Sequence, residues 1–278
     1  MADEHQKTSR ALLDQKLRGM QRGLENLDAE DASIERLHQL RVAVRECESA
    51  MFLCRGWLRK RERKWLSRKC KAVRDLSNEV RDCDVVLGWL DTQAPEHSSR
   101  KALVRQKAAA QRRLFPLVAR LLKKDRFRRH RKQLKHAASP GSAAALVAQL
   151  LKLVGRFTEQ AGEALNDYDQ LHRWRISGKK LRYALSFLAE LGAEAEVHAA
   201  LGALKELQDR LGEVVDEVNR QRLLGQCNPG DRLTSQLGAG EDIWSFECHA
   251  TICAGAFQAV AWYMPTEQLA NTNPTRQF

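Results

Sequence analysis

Two stretches of the chain set histidine, arginine and lysine at helical spacing beside an apolar stripe. The longer reads Leu171-His172-Arg173-Trp174-Arg175-Ile176-Ser177-Gly178-Lys179-Lys180-Leu181-Arg182-Tyr183. At about 100° per residue, Leu171, Trp174, Gly178, Leu181, Leu185 and Leu188 share one arc of a helix, and His172, Arg175, Lys179 and Arg182 share the next. One stripe can pack while the other holds an anion. The shorter stretch, Leu37-His38-Gln39-Leu40-Arg41-Val42-Ala43-Val44-Arg45, aligns with Leu171 to Lys179 at one constant offset. There Leu37, Leu40, Val44, Cys47 and Met51 make the apolar arc, and His38, Arg41 and Arg45 the basic one. Arginine suits anion capture because its planar fork donates to two phosphate oxygens, and lysine adds a mobile point charge.

The surrounding charge favours the same chemistry. The chain carries a formal net charge of +12 with a pI near 9.6. Residues 36–135 hold 29 Lys/Arg against 10 Asp/Glu, and the remainder is net acidic. So concentrated a field gathers polyanions. Within it Lys71, Arg74, Arg81 and the Arg112/Arg113 pair add cations on density alone, while Lys180 and Lys205 extend the second half and Gln208 shares a helical face with Gly212, where an anion could approach closely. Asp82, Asp84 and Asp216 are expected to orient arginines through salt bridges. Glu46 and Glu48 stand where the second stretch has Lys180 and Arg182, so an even, symmetric track of cations is not expected. The basic runs at 59–64 and 128–135 read as solvated faces. His38 and His172 have a competing role as core histidines, and Trp174 and Tyr183 read as packing groups.

A composition of 43% hydrophobic and 29% charged residues describes a globular protein, only 6 Pro and 16 Gly leave little room for β-turns, and helical periodicity along the chain makes the expected fold all-α. Helices are expected at about 4–26, 33–57, 63–90, 100–124, 126–136, 143–165, 169–191, 195–224 and 242–264. A charged turn is expected at 59–63, and Pro116 should kink or restart its helix by removing a donor. The pattern begins again after Ala138-Ser139-Pro140-Gly141-Ser142. This gives a first helical-bundle repeat at 1–137, a linker at 138–142, a second repeat at 143–264 and a flexible tail at 265–278. Cys47 and Cys54 sit on an apolar face as core residues.

Other chemistries find little purchase. There is no GxxxxGK[ST] loop, no GxGxxG after a strand and no HExxH. Cys248, His249 and Cys253 could offer zinc ligands one turn apart, but a fourth is not evident, so no metal or cofactor is expected. The polar N-terminus resembles neither a secretory signal nor a transit peptide, and no apolar run approaches the ~18 residues of a spanning helix. Seven cysteines without CxxC spacing suit a reducing cytoplasm.

The motifs His38-x-x-Arg41-x-x-x-Arg45, Arg81-Asp82-x-Asp84, Leu171-His172-x-x-Arg175-x-x-x-Lys179-x-x-Arg182-Tyr183 and Leu207-Gln208-x-x-Leu211-Gly212-x-x-x-Asp216 together resemble the CHAD domain family, α-helical domains named for conserved histidines. The resemblance covers about residues 5–224. It implies two four-helix bundles related by a pseudo-twofold axis. It also implies a basic surface or channel that binds inorganic polyphosphate without catalysis, with targeting to polyphosphate granules as one consequence. Glu46-Cys47-Glu48-Ser49-Ala50 lacks the lysine of the ExExK motif found in triphosphatase domains often joined to this family. Two rivals stay open: a nucleic-acid-binding protein, disfavoured by an aromatic content of 6%, and a scaffold recruiting an acidic protein.

Overall fold

In the computed structural model, residues 2–27, 33–135, 143–162, 168–225 and 246–263 are described, and all regular structure among them is helical. The first series comprises α1 (Ala2–Glu25), α2 (Ile34–Leu53), α3 (Lys60–Gln93), α4 (Arg100–Leu122) and α5 (Arg126–Lys135). The second comprises α6 (Ala143–Gly162), α7 (Tyr168–Leu188), α8 (Glu194–Leu223) and α9 (Phe246–Tyr263). The expected linker at 138–142 and the tail at 265–278 lie outside the described residues.

Each helix forms where the apolar period is 3.6 and stops where a cap or turn intervenes. On α1, Leu13, Leu17, Met20 and Leu24 are all buried, and Leu27 follows just past its end. Ser33 caps α2, its hydroxyl accepting from the Arg36 amide at 3.3 Å. The expected extension of α2 to Trp57 is replaced by a stop at Leu53 and a 3-10 turn, Arg55–Trp57, that swings Trp57 into the core at 3% exposure. The expected charged turn at 59–63 is also displaced, because α3 begins at Lys60. Glu62 in that first turn is buried and bonds His130 Nδ1 on α5, which anchors the helix start. Pro116 does not break α4, which runs through it. Pro116 and Arg112 are both exposed, so the carbonyl that loses its amide partner can turn to water.

Within each series sequential helices pack as neighbours: α1 on α2, α2 on α3, α3 on α4, then α6 on α7, α7 on α8, α8 on α9, with α9 returning to α6. A turn at Lys123–Asp125, with Lys124 at φ 54°, folds α5 back onto α1, α3 and α4. Phe127 is buried there, and Arg131 donates to Asp14 at 2.7 Å with both groups nearly enclosed. The helix α7 leaves through a π turn, Ala189–Ala193, in which Gly192 takes φ 116°, a conformation that favours glycine.

The two series meet where α2 packs on α7 and α6, and α3 on α8. One continuous apolar core runs through both, from Leu12 to Tyr263. Leu171, Trp174, Gly178, Leu181, Leu185 and Leu188 all point into it, as do Leu37, Leu40, Val44, Cys47 and Met51. Cys54 is buried as well. Gly178 lets α7 lie close on α6: a Cβ there would stand 3.2 Å from the Phe157 ring. Burial of these stripes fixes the rotation of α2 and α7, and so decides where their basic neighbours face. No helix among the described residues is long and apolar enough to cross a membrane.

Candidate functional site

The basic stripes of α2 and α7 turn toward each other and, with α3 and α8, line one groove of about 2250 Å³. The four helices supply it unevenly. From α2 come His38, Arg41 and Arg45, and from α7 His172, Arg175, Lys179, Lys180 and Arg182. The α3 wall runs from Arg63 to Gly88, about 37 Å at 1.5 Å per residue. It contributes Lys64, Arg68, Lys71, Arg74 and Arg81 together with Asp75, Asp82 and Asp84, whereas α8 contributes Gln208, Asp209, Gly212, Glu213 and Asp216. The first turns of α3 are therefore strongly cationic, the rest of that wall is mixed, and the α8 side is polar to acidic.

Two arginines are neutralised by carboxylates. Arg81 on α3 donates in fork geometry to Asp216 on α8, at 2.9 and 2.7 Å, and also reaches Asp82 at 3.2 Å. Burial alone would raise the Asp216 carboxyl, but the hydrogen bonds and charge of Arg81 outweigh it, and it sits below its ordinary range. Arg74 donates to both oxygens of Glu48 at 2.7 and 2.5 Å, so its charge is spent locally. Burial still pushes Glu48 upward. Asp84 holds Lys107 of α4 at 2.5 Å.

The remaining cations have no such partner. Arg41, Arg45, Arg175, Lys179 and Arg182 make no ion pair among the described residues. Arg41 Nε, Arg175 Nε, Arg182 Nε and Gln208 Nε2 are buried donors without an acceptor, and His172 Nδ1 is also unpartnered. Burial, and after it the neighbouring charges, disfavours the charged forms of Arg41, Arg175, Lys179 and His172. Burial, then Arg45 and Arg81, pulls Arg41 down to about 10. Burial, then Arg175, Arg45, Arg41 and Arg81, pulls Lys179 down to about 6. Burial followed by Arg175 and Lys179 lowers His172 in the same way. The site is a cluster of donors held in mutual repulsion, which an anion would relieve.

Of the expected residues, His38, Arg41, Arg45, Lys71, Arg74, Arg81, His172, Arg175, Lys179, Lys180, Arg182 and Gln208 converge on the groove. Arg112, Arg113 and Lys205 do not. Arg112 and Arg113 lie exposed on α4, where Arg113 pairs with Glu79, and Lys205 is exposed beside Asp209 at 3.2 Å. His38 is exposed, not a core histidine, while His172 is half-buried and stacked on Tyr168 at 5.8 Å. The gap at Gly212 is filled by Arg175, whose Nη2 lies 3.5 Å from where a Cβ would stand. Trp174 is fully buried, and Tyr183 lines the groove with the Arg182 guanidinium 4.9 Å from its ring centre. Arg55, Arg63, Lys64, Arg68 and Arg156 line the groove without having been expected there. The apolar period of α3 gives a signal for Arg63 and Lys64, which fall within about 100° of arc with Lys71 and Arg81; Arg55 and Arg156 lie on other elements. Outside the groove lining His249 Nε2 and Cys253 Sγ approach to 3.4 Å, but no group of three metal-binding side chains occurs among the described residues.

An all-α fold in which two helical series enclose a cation-lined groove is the class of protein that the chain represents. Its particular family follows from comparison with known proteins. The chain belongs to the CHAD domain family, whose model matches residues 11–225. Among solved structures it is similar to the CHAD domain from the plant Ricinus communis, with 26% identity, a TM-score of 0.58, and 95% of this chain and 89% of that chain covered. It is also similar in fold to PptA from Streptomyces chartreusis, with 14% identity and a TM-score of 0.50 over 93% of this chain and 98% of that chain. No curated protein sequence matches it.

Proposed function

We propose that the groove binds inorganic polyphosphate and performs no chemistry on it. The observation that carries this reading is the set of buried donors without acceptors, Arg41 Nε, Arg175 Nε, Arg182 Nε and Gln208 Nε2, on the walls of one long cationic groove. An unsatisfied buried donor costs about 1–3 kcal/mol, more when charged, so a ligand rich in oxygens recovers that cost at several points. A linear phosphoanhydride chain offers such oxygens along its whole length. Binding without catalysis is supported by the pairing of most of the groove's carboxylates: Asp216 and Asp82 with Arg81, Glu48 and Asp75 with Arg74, Asp84 with Lys107, Glu46 with Lys16 and Asp209 with Lys205. Membership of the CHAD domain family, known in polyphosphate-related proteins, supports the same ligand. Residence in the cytoplasm and association with polyphosphate granules follow as parts of the proposal.

Nucleic acid is the weaker reading because bases need exposed rings on which to stack, and the groove presents only Phe52 and Tyr183. Competition binding tests the choice. Polyphosphate is expected to displace mixed-sequence DNA and RNA at equal phosphate concentration in moderate salt. Reversal of Arg175 and Arg182 to Glu is expected to cost at least tenfold in polyphosphate affinity with the helical circular-dichroism signal intact. Preference for nucleic acid, or unchanged affinity in that variant, would overturn the reading.

A further inference from the structure

A second concentration of cations lies outside the groove. The helix α5 turns Phe127 and Arg131 inward and leaves Arg126, Arg128, Arg129 and Lys132 exposed. Asp125 answers only Arg128, at 3.6 Å. Arg129 and Lys132 meet no acid among the described residues, and Arg126 lies 5.7 Å above the ring of Trp65 on α3. The helix is held firmly beneath these charges: His130 stacks on Trp65 at 3.7 Å and bonds Glu62, and Arg131 is tied to Asp14. A basic helix with a rigid inner face and an unanswered outer one is more than a solvated run.

Its position relative to the groove gives it a role. Going round α3 from the groove-lining Lys64, Arg68 stands about 40° further, Arg61 about 60° and Trp65 about 100°. Lys64 and Arg68 line the groove, Arg61 is exposed, and Trp65 is the residue under Arg126. Cations therefore continue without a break from the groove, around the first turns of α3, to Arg126 and Arg129. By contrast, the α8 wall shows Asp209, Glu213 and Asp216, and Asp216 pairs with Arg81, about 25 Å along α3 from Lys64, so an anion emerging past Lys64 leaves that acid behind.

We infer that this outer stripe of α3 and α5 is an exit track on which a polyphosphate chain longer than the groove continues over the surface. The inference rests on the reading of the groove as a polyphosphate site and extends it to a preference for long chains. The chemistry required is only repeated anionic oxygens at short spacing, and the flat, exposed arginines ask for no terminus or base.

The test compares tripolyphosphate with long-chain polyphosphate on the full chain and on an R126E/R129E variant. An R61E variant serves as a second probe of the track, and K101E/R105E on the exposed face of α4 serves as a control with the same charge change as the α5 pair. The wild type should bind the long chain more tightly than tripolyphosphate. R126E/R129E should lose about tenfold in long-chain affinity, with the slope of log affinity against log salt falling by roughly one to two, while tripolyphosphate binding stays unchanged. R61E should lose in the same direction. Long-chain affinity unchanged in R126E/R129E, or an equal loss in K101E/R105E, overturns the inference while leaving the groove in place. So does a variant that loses RNA binding but keeps the long chain, since the stripe would then serve RNA. Wild-type protein that binds neither phosphate chain removes the groove reading and this one together.

Discussion

Lys179 offers the sharpest quantitative test, because its surroundings make ligand binding a proton-uptake reaction. Its ammonium is faced by Arg175 on its own helix, Arg41 and Arg45 on α2 and Arg81 on α3, with the carboxylate of Asp216 on α8 as the opposing charge. Burial and these cations bring it to about 6, so in free protein at pH 7 only about a tenth of the molecules carry the charge. Phosphate oxygens among the same groups would restore the ammonium, so close to one proton should be taken up per site. Affinity should then fall by nearly tenfold for each unit of pH above 7, about 1.4 kcal/mol per unit. Free-protein stability moves the other way. Between about 6 and the ordinary lysine value of 10.5 the unfolded chain holds a proton that the folded chain lacks, so stability rises with pH across that window. Calorimetric titration with polyphosphate at pH 7.5, in buffers of different ionisation enthalpy, counts the protons directly. Lys179→Met should remove most of the uptake, flatten both pH trends and raise the denaturation midpoint. Any uptake that remains belongs to His172, whose charged form is disfavoured in the same way. Intact binding with no proton uptake in the wild type would refute the reasoning.

Two further outcomes probe the frame around the groove. Asp216→Asn takes a repelling carboxylate out of the groove and releases Arg81 from its forked pair at 2.9 and 2.7 Å. It should tighten polyphosphate binding by a factor of a few, roughly 0.5–1 kcal/mol, and cost about 1–3 kcal/mol of stability; looser binding at low salt would count against Arg81 as a ligand group. Gly255→Val places a side chain where even a Cβ would stand 2.6 Å from Ala200 Cβ and 3.2 Å from the Glu196 carbonyl oxygen. Overpacking between α8 and α9 should cost about 1–3 kcal/mol, seen as a lower urea midpoint. An unchanged midpoint would mean that α9, which lies beyond the matched residues 11–225, is not part of the cooperative unit.

Helix placement and the rotation of α2 and α7 were legible because both are set locally. Apolar residues at a 3.6 period must face the core, and that rotation carries His172, Arg175 and Lys179 to a definite neighbouring arc. Boundaries were less legible where a distant partner decides them. Four cations in the first turn oppose the helix dipole, so 59–63 reads as a turn. Yet α3 starts at Lys60 because Glu62 finds His130, 68 positions away. Pro116 leaves α4 unbroken for a related reason: the cost of a missing donor depends on whether the freed carbonyl is buried, and Pro116 and Arg112 are both exposed.

Density of charge proved a poor guide to where charge acts. Arg112 and Arg113 belong to the most basic part of the chain, but α4 packs on α3 and these residues lie exposed, outside the groove. Arg74 reaches the groove and is cancelled there by Glu48, a pairing across 26 positions that no local pattern announces. With Glu46 and Glu48 where α7 has Lys180 and Arg182, the α2 stripe reads as the less cationic of the two. Counting the α2 and α7 stripes alone, that holds. The third helix of each series reverses it, since α3 brings Arg63, Lys64, Arg68 and Lys71 to a wall whose opposite number on α8 brings Asp209, Glu213 and Asp216. A polyanion in this groove therefore meets walls of unlike charge, cationic on α2, α7 and the first turns of α3 and acidic on α8.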